Sequence, residues 1–418
     1  MILLRYLIFF TSLKIVINLL RVTAIGREYL DIFDLAMIVK IGIITFFLLA
    51  LVSIIQNRKE KRTIVQGNIG KIIFLFVGFN IIATIVGLYN GFEDKLIQDF
   101  FNSISGLTVA YAVAGLNLCK IQITRFLKEF SICITALFIM SFVFIEIRIM
   151  SGYYPYLALV PGGLAISFFY FGSPKKYGLL GKILTIILFI ISLKRSLILS
   201  FIFSLMLFFS LKKVKNIFSV LTISTSGLLL CVLILFGLAK VVEGKKIPLL
   251  TNTFTKVNQV NPWSESSDFW LDSGGARISE SISAFNSFKE ANHSWLLGAG
   301  NGFIYQENAE VFPRQRKTHN VHITPIGILL RYGILMSSVI FFIFFKYIMW
   351  ILKLSKNKNE EILEPFLFYQ LFGFTAALFS FSIAIDFILW TSMGLVCLLT
   401  NKVLEAEVKT LPEAMNLS

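Results

Sequence analysis

Runs of about twenty apolar residues, the length of helix that crosses a hydrocarbon core, follow one another along almost this whole chain. They fall near residues 3–20, 36–55, 72–92, 100–118, 130–150, 157–172, 178–194, 196–211, 217–241, 324–346, 364–382 and 384–400. In lipid a backbone must satisfy its own hydrogen bonds, which leaves helix as the form for isolated segments of this kind. The chain is 56% hydrophobic, against about 45–50% in soluble domains. The expectation is an all-α fold: a polytopic helical bundle of about twelve transmembrane helices in one membrane domain.

The basic residues set an orientation. Alternate connections carry Arg58, Lys59, Lys61, Arg62 and Lys71, then Lys120, Arg125 and Lys128, then Lys175, Lys176 and Lys182. The series continues with Lys212, Lys213 and Lys215, and ends with Lys346, Lys353, Lys356 and Lys358. Cytoplasmic loops collect such residues, so both termini are expected inside. The net charge of +15 then reflects topology and attraction to anionic lipid. With no basic, aromatic-interleaved soluble module, nucleic acid is excluded as a partner. The first apolar run resembles a signal sequence with a small-residue site at Val22, Thr23 and Ala24. Arg5 and Lys14 interrupt it and many spans follow, so an uncleaved helix is expected.

One polar stretch, residues 243–322, divides the chain into helices one to nine (1–242), an external loop (243–322), helices ten to twelve (323–400) and a cytoplasmic tail (401–418). The loop balances eight cations against eight carboxylates, so it is no polybasic tether. Cys119, Cys133, Cys231 and Cys397 lie in or beside spans, which leaves the loop no disulfide framework. The three histidines and the lack of a Cys/His cluster argue against a structural zinc site.

Several residues break the pattern. Lys194 and Arg195 sit in a tight turn that parity places outside, where cations are rare. They either snorkel to headgroups or mark a substrate path, and a rigid guanidinium suits two-pronged phosphate binding. In the loop, Ile278, Ile282 and Phe285 share one face of a predicted helix over 276–290, with Ser273, Gly274 and Gly275 before it as a break. Arg277 falls in its first turn, where a cation opposes the helix dipole. It either faces solvent or serves a charge elsewhere. The glycines at 298, 300 and 302, beside Trp295, fit neither a Walker loop nor a dinucleotide fingerprint and read as a flexible turn. Arg314, Arg316, Lys317, His319, Asn320 and His322 then lead directly into span ten. An imidazole there can position or deprotonate a hydroxyl.

These residues resemble the O-antigen polymerase and O-antigen ligase family of bacterial envelope glycosyltransferases. Lys194, Arg195 and Ser196 resemble that family's Ser-Arg-Gly-like turn. Arg277 through Gly300 resembles its loop helix and glycine turn, His319-Asn320 its dipeptide, and Arg331 to Leu335 its distal segment. The likeness covers roughly 180–340. Two departures stand out: a Lys precedes Arg195 where the family often has Ser, and Gly333 lies eleven residues after His322 but fourteen after His319. Either histidine therefore matches the functional one.

The resemblance implies a metal-independent glycosyl transfer, without a cofactor, on the periplasmic side of the bacterial inner membrane. The donor would be an oligosaccharide on undecaprenyl pyrophosphate. The acceptor would be another lipid-linked repeat unit in a polymerase, or lipid A core in a ligase. Other glycan assembly proteins are partners by the same resemblance. It gives catalytic roles to Arg195, Arg277 and His319 or His322. Substrate-binding roles fall to Lys194, Arg314, Arg316, Asn320, Arg331 and Trp295, the last by stacking on a sugar. A lipid-glycan transporter or flippase is the reading from another class, but the chain shows no related halves of the kind transporters carry.

Overall fold

The computed structural model describes residues 1–22, 35–57, 64–93, 95–150, 162–171, 178–191, 195–214, 219–220, 222–227, 229, 273–306, 317–318, 321, 323–356, 361–379 and 386–400. Among these the protein is predominantly helical. The helices are α1 (Ile2–Val22), α2 (Leu35–Gln56), α3 (Ile64–Tyr89), α4 (Leu96–Ala114), α5 (Lys120–Met150) and α6 (Gly162–Phe171). They continue with α7 (Gly178–Ile191), α8 (Arg195–Lys213), α9 (Ser273–Glu290), α10 (Thr324–Lys356), α11 (Glu364–Phe379) and α12 (Phe387–Thr400). A ribbon of β1 (Tyr305–Gln306) and β2 (Lys317–Thr318) pairs antiparallel, with Tyr305 opposite Thr318. Most of the apolar run near 217–241 and all of the tail 401–418 lie outside the described residues.

Most helices coincide with the apolar runs, because each run is long enough to close its own hydrogen bonds. The differences lie at the polar ends. Lys120, Arg125 and Lys128, expected in a loop, stand on the first turns of α5, where Arg125 pairs with Glu129 at 2.8 Å. Lys346 likewise lies within α10, which continues to Lys356. Ser273, Gly274 and Gly275 do not break the loop helix. They form its first residues, so Arg277 lies in the second turn and the dipole opposes it less than expected.

Among the described residues two segments, Gly70–Tyr89 and Thr324–Lys356, are long and apolar enough to cross a membrane. Helices α3 and α4 lie antiparallel, Gly70 level with Tyr111 and Gly87 with Leu96. Small residues bring helices close: Gly106 lies against Trp390, and Gly394 against Ala110 and Val113. Helices α6, α8 and α11 meet through Phe168, Phe169, Phe201, Phe208 and Phe368. At the end of that interface Lys212 pairs with Glu364 and lies 4.8 Å from the Phe208 ring.

The outward faces are equally apolar. Met37, Ile41, Ile44, Leu48, Val52 and Ile55 form an exposed stripe at helical spacing along α2. On α10, Leu335, Val339, Phe342, Phe345 and Met349 face outward while Met336, Ile340 and Ile351 are buried. Contiguous exposed apolar surface of this extent is what a protein presents to lipid or to a partner.

Candidate functional site

The best-defined polar cluster forms where the polar stretch after α8 meets α3, α4 and α10. Its origin is a break in α10. Gly333 has φ 66° and ψ 179°, so residues 324–332 and 334–356 are two helical pieces. A break leaves carbonyls orphaned on one side and N–H groups on the other. The glycine segment supplies both partners. Ala299 N–H donates to Leu330 O at 2.8 Å and Gly300 N–H to Arg331 O at 3.0 Å. In return Ile334 N–H donates to Trp295 O at 2.9 Å and Leu335 N–H to Leu296 O at 3.4 Å.

Close backbone approach explains the glycines. A Cβ on Gly333 would strike Gly298 N and Leu296 O, and one on Gly300 would strike Gly87 and Ala83 O. Both residues also hold positive φ, a conformation that L side chains disfavour. The turn read from the sequence is therefore present, but its shape is set by partners far away in the chain.

Charge and hydroxyl groups then tie the clasp to the bundle. Asp99, 1% exposed, accepts Gly302 N–H at 2.8 Å and pairs with Arg331 Nη2 at 3.2 Å. Asn301 N–H donates to Ala83 O at 2.8 Å, and its Nδ2 donates to Thr84 Oγ1 at 3.0 Å. Tyr332 Oη donates to Asn80 Oδ1 at 2.8 Å and lies 3.0 Å from Ser103 Oγ, which donates to Asp99 O at 2.8 Å. Most buried polar groups here meet partners, several of them across helices, the condition for holding such groups away from water; the Asn301 Oδ1 atom is buried without one.

Beside the clasp, the loop and the first turns of α10 share a small core of Ala284, Phe288, Ala299, Phe303, Tyr305 and Leu330. Tyr305 Oη donates to Glu280 Oε1 of α9 at 2.6 Å, which fixes β1 and, through pairing, β2. Strand β2 ends one residue before His319. Trp295 packs on Phe285 and Phe288, with ring centroids at 6.1 and 4.7 Å, and remains 45% exposed. His293 is enclosed by Phe92, Phe288 and Phe303, centroids 5.5–5.9 Å away, and burial pushes its imidazole below the ordinary value.

Of the residues singled out from the sequence, Arg331 and Trp295 fall within this assembly. Arg331 directs its guanidinium at Asp99 and keeps 20% of its side chain exposed. Arg195 begins α8 and Arg277 lies on α9; their side chains, with Lys194, Arg314, Arg316, His319, Asn320 and His322, lie outside the described residues. Sequence reading passed over Asp99, Asn80 and Asn301. A carboxylate at the start of an apolar run and an amide inside another were the available signals, since polar groups in such segments face protein rather than lipid. No family model, no curated protein and no solved structure matches this chain.

Proposed function

We propose that this protein is a membrane-embedded polymerase of surface polysaccharide that transfers a glycan from undecaprenyl pyrophosphate to a lipid-linked repeat unit. In this reading about twelve helices cross the bacterial inner membrane, both termini are cytoplasmic, and residues 243–322 face the periplasm. The exposed apolar stripes of α2 and α10 support the membrane setting, as does the sorting of the basic residues.

One observation carries the functional reading. The two separate segments that resemble the family's glycine turn and distal motif, residues 298–300 and 331–335, are joined in one backbone clasp. Helix α9, bearing Arg277, and strand β2, adjoining His319, are fastened to the same assembly through Glu280 and Tyr305. The acceptor hydroxyl oxygen would attack the anomeric carbon, and the bond from that carbon to the pyrophosphate oxygen would break. The leaving pyrophosphate takes the electron pair, and Arg195 and Arg277 neutralise its charge. His319 or His322 receives the hydroxyl proton.

The test is the surface glycan of a deletion strain, resolved on a gel and complemented with variants. A polymerase leaves a single capped repeat when deleted; loss of all glycan from lipid A core would indicate a ligase, and an unchanged ladder overturns both. Replacing the functional histidine by Ala should lower the rate by about 10²–10⁴ at unchanged protein level. If His319→Ala, His322→Ala and the double variant all make normal ladders, neither histidine takes part.

A further inference from the structure

Three helices allow the depth of the glycine segment to be measured against the bilayer, if the membrane reading above holds. On α3 the basic boundary is Lys71, and Ala83, whose carbonyl receives Asn301 N–H, stands twelve residues beyond it. On α10, Ile334, which donates to Trp295 O, stands twelve residues from Lys346. On α4, Tyr111 is level with Gly70, and Asp99, which receives Gly302 N–H, stands twelve residues above it. At a rise of about 1.5 Å per residue each interval is roughly 18 Å. A hydrocarbon core about 30 Å thick would extend roughly 12 Å further, and any helix tilt would place the segment deeper still.

The backbone fits such a position. Every N–H from Leu297 to Gly302 has an internal partner: Ser294 Oγ and O, Leu330 O, Arg331 O, Ala83 O and Asp99 Oδ2 in turn. A surface loop can leave these groups to water, whereas irregular backbone at membrane depth persists only when protein satisfies it. The exposed side chains agree. Trp295, Leu296 and Leu297 are outward, and the carbonyls of Trp295 and Leu296 bind the first residues of the apolar stripe on α10. The patch is continuous with Ile334 and Leu335, and so with the face of α10 that includes Phe342 and Phe345.

We propose that residues 295–303 form a re-entrant loop, entering the bilayer from the side opposite Lys71 and Lys346, with Trp295, Leu296 and Leu297 against lipid acyl chains. The clasp thus holds Arg331 below the headgroup plane, where the lipid end of a polyprenyl donor lies. This proposal rests on the membrane reading, and its test separates the two.

Single cysteines at Leu296, Phe345 and Glu290 are introduced into the full chain after its four native cysteines are replaced. Each is spin-labelled in nanodiscs of phosphatidylethanolamine and phosphatidylglycerol, and its collisions with oxygen and with a water-soluble nickel chelate are compared. Leu296→Cys should behave like Phe345→Cys, oxygen-accessible and chelate-protected, with Glu290→Cys as the aqueous reference. If Leu296→Cys matches Glu290→Cys while Phe345→Cys stays protected, the loop lies on the surface and the re-entrant proposal is overturned. If Phe345→Cys is itself chelate-accessible, the membrane reading fails as well. Brominated phosphatidylcholine gives an independent measure without labelling. It should quench a component of native tryptophan fluorescence that is lost in Trp295→Phe; quenching unchanged by that substitution also overturns the proposal.

Discussion

Asp99 and Asp386 are both buried carboxylates at or beside the start of a helix, yet they are stabilised in opposite ways. Asp386 acts locally: Oδ1 accepts the N–H groups of Ile388 and Leu389, both at 3.1 Å, and Tyr369 Oη donates to Oδ2 at 3.0 Å. It is an N-cap reinforced by the neighbouring helix. Asp99 instead spends its acceptors on groups more than two hundred residues away, Gly302 N–H and Arg331. The first carboxylate finishes a helix that its own sequence would start anyway. The second, on α4, holds a loop and a broken helix in one arrangement. The difference teaches that burial alone says little about what a carboxylate does; the sequence distance of its partners says more.

The largest expected effect breaks the long-range side outright. Gly300→Ala should cost more than about 4 kcal/mol, the tail reserved for gross steric disruption, because its Cβ meets the backbone of Gly87 and Ala83. Gly91 also has positive φ, at 77°, but no atom lies within 4 Å of its Cβ position. Gly91→Ala should therefore cost only about 1–2 kcal/mol, the conformational penalty by itself. Thermal unfolding in detergent, followed by size-exclusion, checks the pair. Equal losses would show that backbone conformation, not the clasp, decides the outcome.

Asp99→Asn leaves Arg331 without its charge partner and should cost about 3 kcal/mol, the lower end for a broken buried pair, given the partial exposure of Arg331. Adding Arg331→Met should recover part of that loss. Asp386→Asn retains an oxygen for the N-cap and should cost about 1 kcal/mol. Stability of these three variants, measured side by side, tests the distinction; a costlier Asp386→Asn would reverse it.

The smallest effect concerns pH at the outer edge of the clasp. Burial among Phe92, Phe288 and Phe303 depresses the His293 imidazole below its ordinary 6.5. The unfolded chain then binds the proton more readily than the folded one. The contribution is present above pH 6.5 and is lost as pH falls toward the folded value. Acidification from neutral should loosen the loop slightly, and His293→Gln should flatten that dependence. Hydrogen exchange at Phe303 and Tyr305 provides the readout, and a slope unchanged in the variant would assign the effect to another group.

The positions of most helices were legible in the residues, and the reason is physical. An apolar run of twenty residues carries its own backbone partners, so α2 spans Leu35–Gln56 against an expected 36–55. The start of α10 at Thr324 was legible too, as was the helix carrying Arg277 and the turn at 298–302. Helix ends were less so. Lysines at the ends of α5 and α10 continue the helix because long side chains leave the backbone free to do so.

What the sequence determined by itself was class: helical, apolar on most faces, with one polar stretch and an ordered set of arginines, histidines and glycines. Only the tertiary structure decided that Gly333 breaks α10, that the glycine turn repairs the break, and that Asp99 ties both to the bundle. Those features depend on hydrogen bonds and an ion pair between residues thirty to more than two hundred positions apart. Local propensity and periodicity carry no record of such partners, because each group is compatible with several neighbours until the helices have packed.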